Sequence, residues 1–538
     1  MLDLVADYCI IGGGAAGCVL AARLSEDIGT RVILLEAGPT DWHPFVHIPA
    51  ACLFLQHDKR FNWLDMTEPQ QHLDGRQIKL PQGRLLGGSG SINGMLHVRP
   101  QRSDIDNWNT SGWTYNDVLP VLMRSEAFAN DSALRGKDGV HPVTHFSDVH
   151  PLTRSFIEAC GSAGIGFNQD MNGPDRQGAA FFQQNRRGRF RSQTAQTYLR
   201  QARSRPNLEV MTGAVCKRVI FDGKKAIGVL FEQGGQERRI KVRQEVVLSA
   251  GALRSPQILQ RSGIGEPQHL ASIGVPVVAA RDRVGRNLRD HFLLRVAHRV
   301  AGIGTINERT RGLSVLREVL RFVIKGEGML TMGAGAAAAI LPSRLSGTTP
   351  DIQLSFAPGS FAGPGQLESE PGMTIGGWVS PGKSLGTVMA RSADPHESPA
   401  VDPNYLSDPS DHEGIIACVR AIRRIFEQPA LKRWSTGETY PGPDVSGDDA
   451  EILAFAKKRG ASGYHFAGTC SMGDDHQSVV DSRLRVRGIE GLRVIDASVM
   501  PAPPIGNAHA SVVMVAEMGA AIIAEDRRAP SPSAPLAN

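Results

Sequence analysis

The sequence lacks long hydrophobic runs. No stretch of roughly eighteen residues is both apolar and free of charge, which argues against a membrane-spanning helix. The most apolar segment, from Ala510 to Ala524, is interrupted by Glu517 and predicts a buried helix instead. A secretory signal is not expected either, because only six residues precede the first apolar run and neither a basic region nor a small-residue cleavage site is present.

Cysteine is also scarce. The seven cysteines are widely spaced and form no CxxC pair, so neither a zinc site nor a redox dithiol is predicted, and no metal site is expected. Cys9 and Cys18 lie within apolar runs and are expected to be small core residues. A reducing, cytoplasmic environment fits this composition best. Association with a membrane surface stays open.

An excess of charge of one sign is absent as well. The 538 residues carry a formal net charge of only +5 from scattered lysines and arginines, so nucleic acid is not expected as a partner. The densest basic stretch, from Arg186 to Arg191, favours a solvated loop or helix start. The 41% hydrophobic and 21% charged residues are typical of a globular protein, and the length predicts more than one domain.

The chain begins with a nucleotide-binding pattern. Residues 7–11 predict a strand, 15–25 a helix and 31–35 a second strand. The two strands are largely apolar, as in a parallel sheet that is covered on both faces. Between the first strand and the helix, residues 12–17 fit GxGxxG, and this is the position that a dinucleotide fingerprint requires.

The residues of this fingerprint have separate tasks. Gly12 permits the tight turn, Gly14 lets the backbone approach a pyrophosphate, and Gly17 allows close packing of the helix. The helix start at Ala15 and Ala16 presents unpaired N–H groups to the phosphates. The sequence therefore predicts a dinucleotide site at this turn.

An acidic residue follows at the expected distance. Glu36, with Ala37 after it, ends the second strand about 20 residues on, where a carboxylate accepts a hydrogen bond from a ribose hydroxyl. Glutamate rather than arginine disfavours a 2′-phosphate. The fingerprint alone does not separate NAD from FAD. The distant stretch 491–496 suggests one long dinucleotide held by both ends of the chain, which favours FAD.

Strand-like clusters recur at 208–230, 245–250 and 492–495, so separate parts of the chain are predicted to form one domain. Residues 300–454 contain alternating stretches such as 351–356, which suit an antiparallel sheet. We predict an α/β fold with a Rossmann-like FAD-binding domain and an inserted α+β substrate domain built on an antiparallel sheet. The predicted boundaries are 1–155, 205–300 and 455–528 for the FAD-binding domain, 156–204 and 301–454 for the substrate-binding domain, and 529–538 for a disordered tail.

Four longer motifs resemble those of one family. They are the stretches 83–95, 251–265, 284–291 and 402–406. In this order they resemble the glucose–methanol–choline (GMC) oxidoreductases, particularly the choline-dehydrogenase-like, FAD-dependent alcohol dehydrogenases and oxidases. The resemblance covers about residues 5–525. It implies an enzyme that takes a hydride from the carbinol carbon of an alcohol.

The resemblance also assigns residues to the cofactor. The small residues of 87–93 fit backbone that approaches a flat ligand closely, with 93–96 near the reactive edge of the flavin. Ile92 stands where some members have a histidine bonded covalently to the flavin, so non-covalent FAD is expected. The further cofactor-binding residues implied by the resemblance are Trp63, Arg84, Gly87, Ser89, Asn93, Gly94, Met95, Leu96, Val215, Ala250, Gly251, Ser255, Asp496, Ala497, Asn507 and Ala510.

Two further segments, 464–473 and 506–510, resemble the active-site segments of the family. They place His465 at the first catalytic position and His509 at the second. An alkoxide donates a hydride far better than an alcohol, so oxidation needs a base, and histidine, with an ordinary pKa near 6.5, can serve at neutral pH. His465 is predicted to be the base or to stabilise the alkoxide, and His509 to hydrogen-bond the same oxygen.

The sequence leaves several points open. The leading function is oxidation of a primary alcohol to an aldehyde, with O2, a quinone or another carrier as electron acceptor. The alternatives are a flavin-containing lyase of the same fold (cyanohydrin-type or decarboxylase) and a non-catalytic nucleotide-binding protein. Choline would call for an aromatic cage and a carboxylate, and Trp63 and Trp378 are not placed by the sequence. His97 and Phe466 stand where relatives more often have an aromatic residue and a proline.

Overall fold

The computed structural model describes residues 4–129, 132–146, 148–343, 347–363 and 365–528. The tail predicted at 529–538 lies outside the described residues. The predicted opening is present as strand Leu4–Ile11, helix Ala15–Leu24 and strand Val32–Glu36. Both strands are buried on their two faces, which explains why apolar residues follow one another without alternation.

The first sheet has seven strands drawn from distant parts of the chain. Its central strands are parallel and its last hairpin is antiparallel. The first βα turn therefore lies at the carboxyl edge of parallel strands, where ligands bind in such sheets. In spatial order the strands are Leu208–Thr212, Val32–Glu36, Leu4–Ile11, Gln236–Leu248, Lys225–Gln233 and Ala214–Asp222, with Leu492–Val494 also paired to Gln236–Leu248.

The second sheet also has seven strands, and all its pairings are antiparallel. In spatial order the strands are Ser435–Tyr440, Phe292–Val300, Gly372–Val379, Ile352–Ala357, Ala337–Leu341 and Gly178–Phe181, with Ala461–Ser462 also paired to Phe292–Val300.

Successive residues of the second sheet face opposite sides. Leu294 and Val296 pack into a core with Ile422 of the helix behind the sheet. Leu293 and Arg295 lie on the other side and line a large cavity. The period-two pattern of this sheet therefore divides its residues between a packed core and a ligand-accessible face.

Helices and short strands complete the fold. The α-helices are Ala15–Leu24, Pro44–His47, Cys52–Leu55, Arg102–Asp106, Tyr115–Ser125, Pro151–Ser162, Arg200–Ala202, Ser255–Arg261, Pro267–Ser272, Ile306–Arg309, Gly312–Leu320, Pro409–Phe426, Pro429–Lys432, Asp449–Arg459 and His509–Arg528, and two π-helical segments span Ala195–Leu199 and Arg321–Lys325. A third sheet contains, in spatial order, the strands Arg286–Leu288, Gly386–Met389 and Ala400–Asp402. A fourth sheet contains, in spatial order, Leu96–His97, Gln183–Gln184 and Thr144–His145. Two-stranded pairs are Arg186–Arg187 with Phe190–Arg191, Ile264–Gly265 with Ala279–Ala280, Phe361–Gly363 with Gln366–Leu367, Asp65–Met66 with Lys79–Leu80, and Glu126–Ala127 with His141–Pro142.

The C-terminal helix His509–Arg528 packs against Ala15–Leu24 in the core of the first sheet. Glu517, which interrupts its apolar run, is buried but paired with Arg23 at 2.8 Å and Arg124 at 3.2 Å. A buried carboxylate needs such partners. Within the described part of the chain, no helix has the length and apolarity needed to cross a bilayer.

Candidate active site

A single large cavity connects the glycine turn to His465. Its volume is about 1200 Å³, and residues of both large sheets line it. Ordinary small-molecule sites occupy roughly 300–1,000 Å³. The cavity therefore offers room for a dinucleotide at the end lined by Gly12 and Glu36, and for a second molecule at the end lined by His465.

The glycines at the first end fit the tasks predicted for them. Gly12 has a φ of +103°, and a Cβ there would lie 2.5 Å from the carbonyl oxygen of Ser249. A Cβ at Gly17 would lie 1.9 Å from the carbonyl oxygen of Gly12. Gly14 instead faces open space, since its Cβ would meet nothing closer than 3.9 Å. The backbone is thus bare where a phosphate has to approach.

Glu36 lies beside this turn and is held by the backbone. Its Oε2 accepts a hydrogen bond from the N–H of Gly13 and its Oε1 one from the N–H of Gly38, both at 2.8 Å. Burial raises the pKa of Glu36 to about 7, although these donors oppose that shift. The second lone pair of each oxygen remains available for a ribose hydroxyl.

Most of the residues predicted from the sequence line the cavity. They are Gly12, Gly14, Ala15, Ala16, Glu36, Ala37, Trp63, Ser89, Asn93, Gly94, Met95, Leu96, Val215, Ala250, Gly251, His465, Asp496, Ala497, Asn507 and His509. Trp378, which the sequence did not place, lines it as well.

The other five predicted residues, Gly17, Arg84, Gly87, Ser255 and Ala510, lie outside the lining of the cavity. Gly17 packs beneath the turn, and Ala510 is buried in the C-terminal helix. Arg84 lies over the ring of Trp63, 4.8 Å from its centre. The Ser255 hydroxyl donates to the carboxylate of Asp496 at 2.6 Å, and the N–H of Gly87 donates to the carbonyl of Gly13 at 2.7 Å. Contact with a cofactor therefore stays a prediction for these five.

His465 is held by hydrogen bonds on both ring nitrogens. Its Nε2 lies 3.2 Å from the side-chain nitrogen of Asn507, and its Nδ1 lies 2.9 Å from the Nδ1 of His291. The side-chain oxygen of Asn507 accepts from the Nε2 of Gln353 at 3.1 Å, so its amide nitrogen faces His465. An amide nitrogen only donates. The Nε2 of His465 therefore carries the lone pair and its Nδ1 carries the proton.

The same reasoning extends one residue further. Since the Nδ1 of His465 donates, the Nδ1 of His291 accepts, and the Nε2 of His291 carries a proton that points to the Ser380 hydroxyl at 3.0 Å. The ring of His291 stacks on Trp378, with centres 5.1 Å apart and planes 12° apart. His291 thus holds the orientation of His465, while the tautomers of both rings follow from the Asn507 amide.

The backbone around His465 is held by a buried carboxylate. Asp290 accepts from the N–H of His465 at 2.7 Å and from the Tyr405 hydroxyl at 2.5 Å, and the Ser462 hydroxyl also donates to it. Burial raises the pKa of Asp290 to about 6. Tyr464 adopts a φ of +64°, which is unfavourable for a non-glycine residue and directs the following residue into the cavity.

Burial sets the charge of the base. It lowers the pKa of His465 to about 4, so the imidazole is neutral at neutral pH and can accept a proton. Burial and the neighbouring His465 hold the pKa of His291 well below 6.5. Two adjacent neutral histidines are consistent with the hydrogen-bond directions derived above.

His509 also lines the cavity. It begins the C-terminal helix, and its ring centre lies 5.4 Å from that of His141. A Cβ added at Gly90 would lie 3.1 Å from its Cε1. The partner of the Nε2 of His465 is Asn507, for which the sequence predicts contact with the cofactor alone. A role for His509 on the substrate oxygen stays a prediction.

The two departures from the family pattern also have places in the structure. His97 is buried outside the cavity lining, with its Nε2 3.4 Å from Glu126 and its Nδ1 3.0 Å from the amide of Asn185. It belongs to a buried charge network that includes Arg99. Phe466 is buried and lines the cavity beside His465.

Family models match most of the chain. The N-terminal model of the GMC oxidoreductases covers residues 6–293, and the C-terminal model covers residues 381–516. The chain belongs to the GMC oxidoreductase family. The resemblance drawn from the motifs is therefore confirmed, and so is the expectation that this protein is an oxidoreductase of that family.

Curated relatives of this GMC oxidoreductase extend over its whole length. It is 37% identical to an alcohol dehydrogenase (acceptor) of Pseudomonas putida over 529 residues, which is 96% of this chain and 95% of that protein. It is also 37% identical to the mitochondrial choline dehydrogenase of Homo sapiens over 533 residues, or 96% of this chain and 89% of that protein.

Solved structures share the fold. The crystal structure of pyridoxine 4-oxidase from Mesorbium loti superposes with a TM-score of 0.87 at 29% identity, covering 97% of this chain and 99% of that one. The GMC oxidoreductases bind FAD, and the bare glycine turn, Glu36 and the length of the cavity fit that cofactor.

One part of the site was missed by the sequence interpretation. His291 ends the motif 284–291, which was recognised as a family stretch but given no chemical role. Asp290, in the same motif, and Ser380 were not considered. A polar or titratable residue at the end of a recognised motif was the available signal.

Proposed function

We propose that this protein oxidises a primary alcohol to an aldehyde, with non-covalently bound FAD, and that His465 accepts the hydroxyl proton. The observation that carries the proposal is the tautomer of His465, a residue that lines the cavity: its Nε2 bears the lone pair and accepts from the Asn507 amide, while its Nδ1 is hydrogen-bonded to His291. Ile92 lines the cavity and offers no nucleophile for a covalent bond to the flavin.

The residues of the chain supply the proton chemistry. The alcohol oxygen has to replace the Asn507 amide as the partner of the Nε2 of His465, which then takes the hydroxyl proton, while the amide donates a hydrogen bond to the same oxygen. The Nδ1 of His291 accepts from His465 throughout, so the positive charge that develops on His465 is stabilised. FAD, when bound, supplies the hydride acceptor at N5.

The charges of the cavity support an uncharged or anionic alcohol rather than choline. Among the described lining residues the carboxylates are Glu36, Asp65 and Asp496. Glu36 binds the glycine turn, Asp65 pairs with Arg254 at 2.9 Å, and Asp496 binds Ser255. The aromatic ring of Trp378 lies next to His465, with ring centres 5.5 Å apart, but each of the three described carboxylates that line the cavity already has a partner elsewhere.

Among the described residues of the second sheet that line the cavity, the charged one is Arg295. It follows Leu293 on the same face of strand Phe292–Val300, and both line the cavity. Its stem passes over Gly376, where a Cβ would lie 3.5 Å from the Cγ of Arg295. A guanidinium here repels a quaternary ammonium and favours a hydroxyl, carbonyl or carboxylate on the substrate.

We also propose the division into domains that the sequence predicted. The first sheet with the C-terminal helix would form the FAD-binding domain from 1–155, 205–300 and 455–528. Most of the second sheet, with Pro409–Phe426 behind it, would form the substrate-binding domain from 156–204 and 301–454. Its strands Phe292–Val300 and Ala461–Ser462 fall in the segments predicted for the first domain but pair with the second sheet, so the boundaries near residues 300 and 455 have to move to include them. The cavity between the two domains supports this division, because both sheets contribute to its lining.

The test is an anaerobic titration of the purified, FAD-loaded protein with a panel of alcohols. Neutral or carboxylate-bearing primary alcohols should bleach the flavin absorbance and yield the aldehyde, whereas choline should not. Reoxidation by air or by a soluble quinone then separates an oxidase from a dehydrogenase. Product formed without any bleaching would instead indicate a lyase of the same fold and overturn the proposal.

A further inference from the structure

One helical run exposes an apolar face to solvent. Helix Gly312–Leu320 continues into the π-helical segment Arg321–Lys325. Leu313 is 84% exposed and Ile324 72% exposed, and Leu316, Leu320 and Val323 are also exposed. Their spacing of three, four, three and one residues places them on one face of the run. Such a row of exposed leucines, isoleucine and valine is not expected where water is the only neighbour.

Exposed aromatic residues extend this face. Phe190 lies against Phe322 in an edge-on contact with ring centres 5.9 Å apart, and the guanidinium of Arg189 donates to the carbonyl of Phe322 at 2.9 Å. On another segment, Phe54 is 68% exposed and lies 6.1 Å from the ring of Phe45. We call the exposed face of residues 312–325, together with Phe45, Phe54 and Phe190, the rim patch.

The rim patch surrounds the mouth of the active-site cavity. Val315 and Val319 of the helical run line that cavity, and so do Phe45 and Phe54. Residues Pro49–Ala51, just before the short helix that carries Phe54, pack against Met329–Thr331, just beyond the helical run. Exposed apolar residues therefore adjoin apolar residues that line the site.

The charges around the rim patch are mostly basic. Within residues 312–325 the exposed charged side chains are Arg317 and Lys325. The one acidic residue of the run, Glu318, is buried and accepts from the N–H of Met329 at 3.0 Å. Arg187 and Arg311 are exposed at its borders. The exposed Glu308 and Glu327 lie outside the run.

An amphipathic helix with leucine and phenylalanine on one face and lysine and arginine beside it is the pattern of helices that lie in a membrane interface. The basic side chains match the negative surface of a bilayer that contains anionic lipids. A second copy of the chain, meeting this one through the same patch, would bring like charges together. The charge pattern therefore favours an anionic bilayer over a second copy of the chain as the occupant of the rim patch.

We propose that the rim patch docks on the surface of an anionic phospholipid bilayer, with the mouth of the cavity facing the lipid. The protein then lies on the membrane without spanning it. A lipophilic alcohol or electron acceptor dissolved in the bilayer would reach the cavity along the apolar rim. The docking itself does not depend on the proposed function, because it concerns surface residues alone.

The test is co-sedimentation of the FAD-loaded protein with vesicles of phosphatidylglycerol mixed with phosphatidylcholine, and with vesicles of phosphatidylcholine alone. The wild type should pellet with the anionic vesicles and be released by high salt. Leu316→Glu/Leu320→Glu should weaken binding at least about tenfold. Ile28→Glu/Val277→Glu, at exposed apolar residues outside the patch, is the matched control and should bind as the wild type does.

Flavin absorbance and the melting temperature show whether each variant is folded. Three results would overturn the proposal: no binding of the wild type to anionic vesicles, equal binding to both vesicle types, or unchanged binding of Leu316→Glu/Leu320→Glu. A lipid-free dimer, seen by light scattering and dispersed by that same variant, would assign the patch to a second copy and also overturn it.

Discussion

Replacement of His291 by phenylalanine tests the hydrogen-bond relay behind the base. Phenylalanine keeps a ring of similar size on Trp378 but removes both nitrogens, so the Nδ1–H of His465 loses its acceptor at 2.9 Å. A buried donor left without a partner costs about 1–3 kcal/mol. The proton of His465 then shifts more readily to its other nitrogen, which removes the lone pair from the cavity.

That free energy converts into a rate. At about 1.4 kcal/mol for each factor of ten, reduction of the flavin should slow about five- to 150-fold in His291→Phe. The assay is anaerobic stopped-flow reduction at saturating alcohol, with KM measured separately, because the defect should lie in kcat and not in binding. Ser380→Ala, which removes only the outer partner at 3.0 Å, is the control and should slow the reaction less than His291→Phe does. A folded, FAD-loaded His291→Phe protein that is reduced at the wild-type rate would refute the relay.

Three further predictions concern the same site. Because burial lowers the pKa of His465 to about 4, kcat/KM should be level at neutral pH and fall only as the pH drops towards 4, where the base becomes protonated; a midpoint near 6.5 in the pH profile would contradict this. Asn507→Ala should lower kcat about tenfold through loss of one hydrogen bond of roughly 1–1.5 kcal/mol, and His509→Ala should lower it less, so steady-state assays that rank the two in the opposite order would favour His509. Arg295→Glu should raise kcat/KM for a cationic alcohol relative to a neutral one by roughly tenfold or more, and an unchanged ratio in competition assays would remove Arg295 from substrate selection.

The parts of the fold that depend on residues close together in the sequence were predictable. The turn at Gly12 follows from the order of strand, glycine and helix, and Glu36 follows from the distance to the second strand. In both cases a short stretch contains the physical reason for its own structure. His465 was predicted differently, through the resemblance of residues 464–473 to an active-site segment of the family.

The partners of His465 could not be found in the same way. His291 lies 174 residues before it and Asn507 lies 42 residues after it, so the contacts exist only when three segments of the chain fold together. His509 was predicted from the resemblance of residues 506–510 to the second active-site segment of the family, whereas the fold brings the nearby amide of Asn507 to the base. Residue type alone does not determine which side chain reaches an atom.

The rim patch was overlooked for a related reason. A helix with leucines three and four residues apart is usually a core helix, and the sequence around Leu316 gives no sign that its apolar face remains uncovered. Only the exposure of that face in the folded chain separates a surface helix from a buried one.

The central claim is that the alcohol loses a hydride from its carbinol carbon while His465 takes the hydroxyl proton. Its most direct test compares anaerobic flavin reduction by a reactive alcohol with reduction by the same alcohol deuterated at the carbinol carbon. We predict that the deuterated alcohol reduces the flavin several-fold more slowly and that His465→Ala nearly abolishes reduction by either. Equal rates for the two alcohols combined with full activity of His465→Ala would contradict the proposed function.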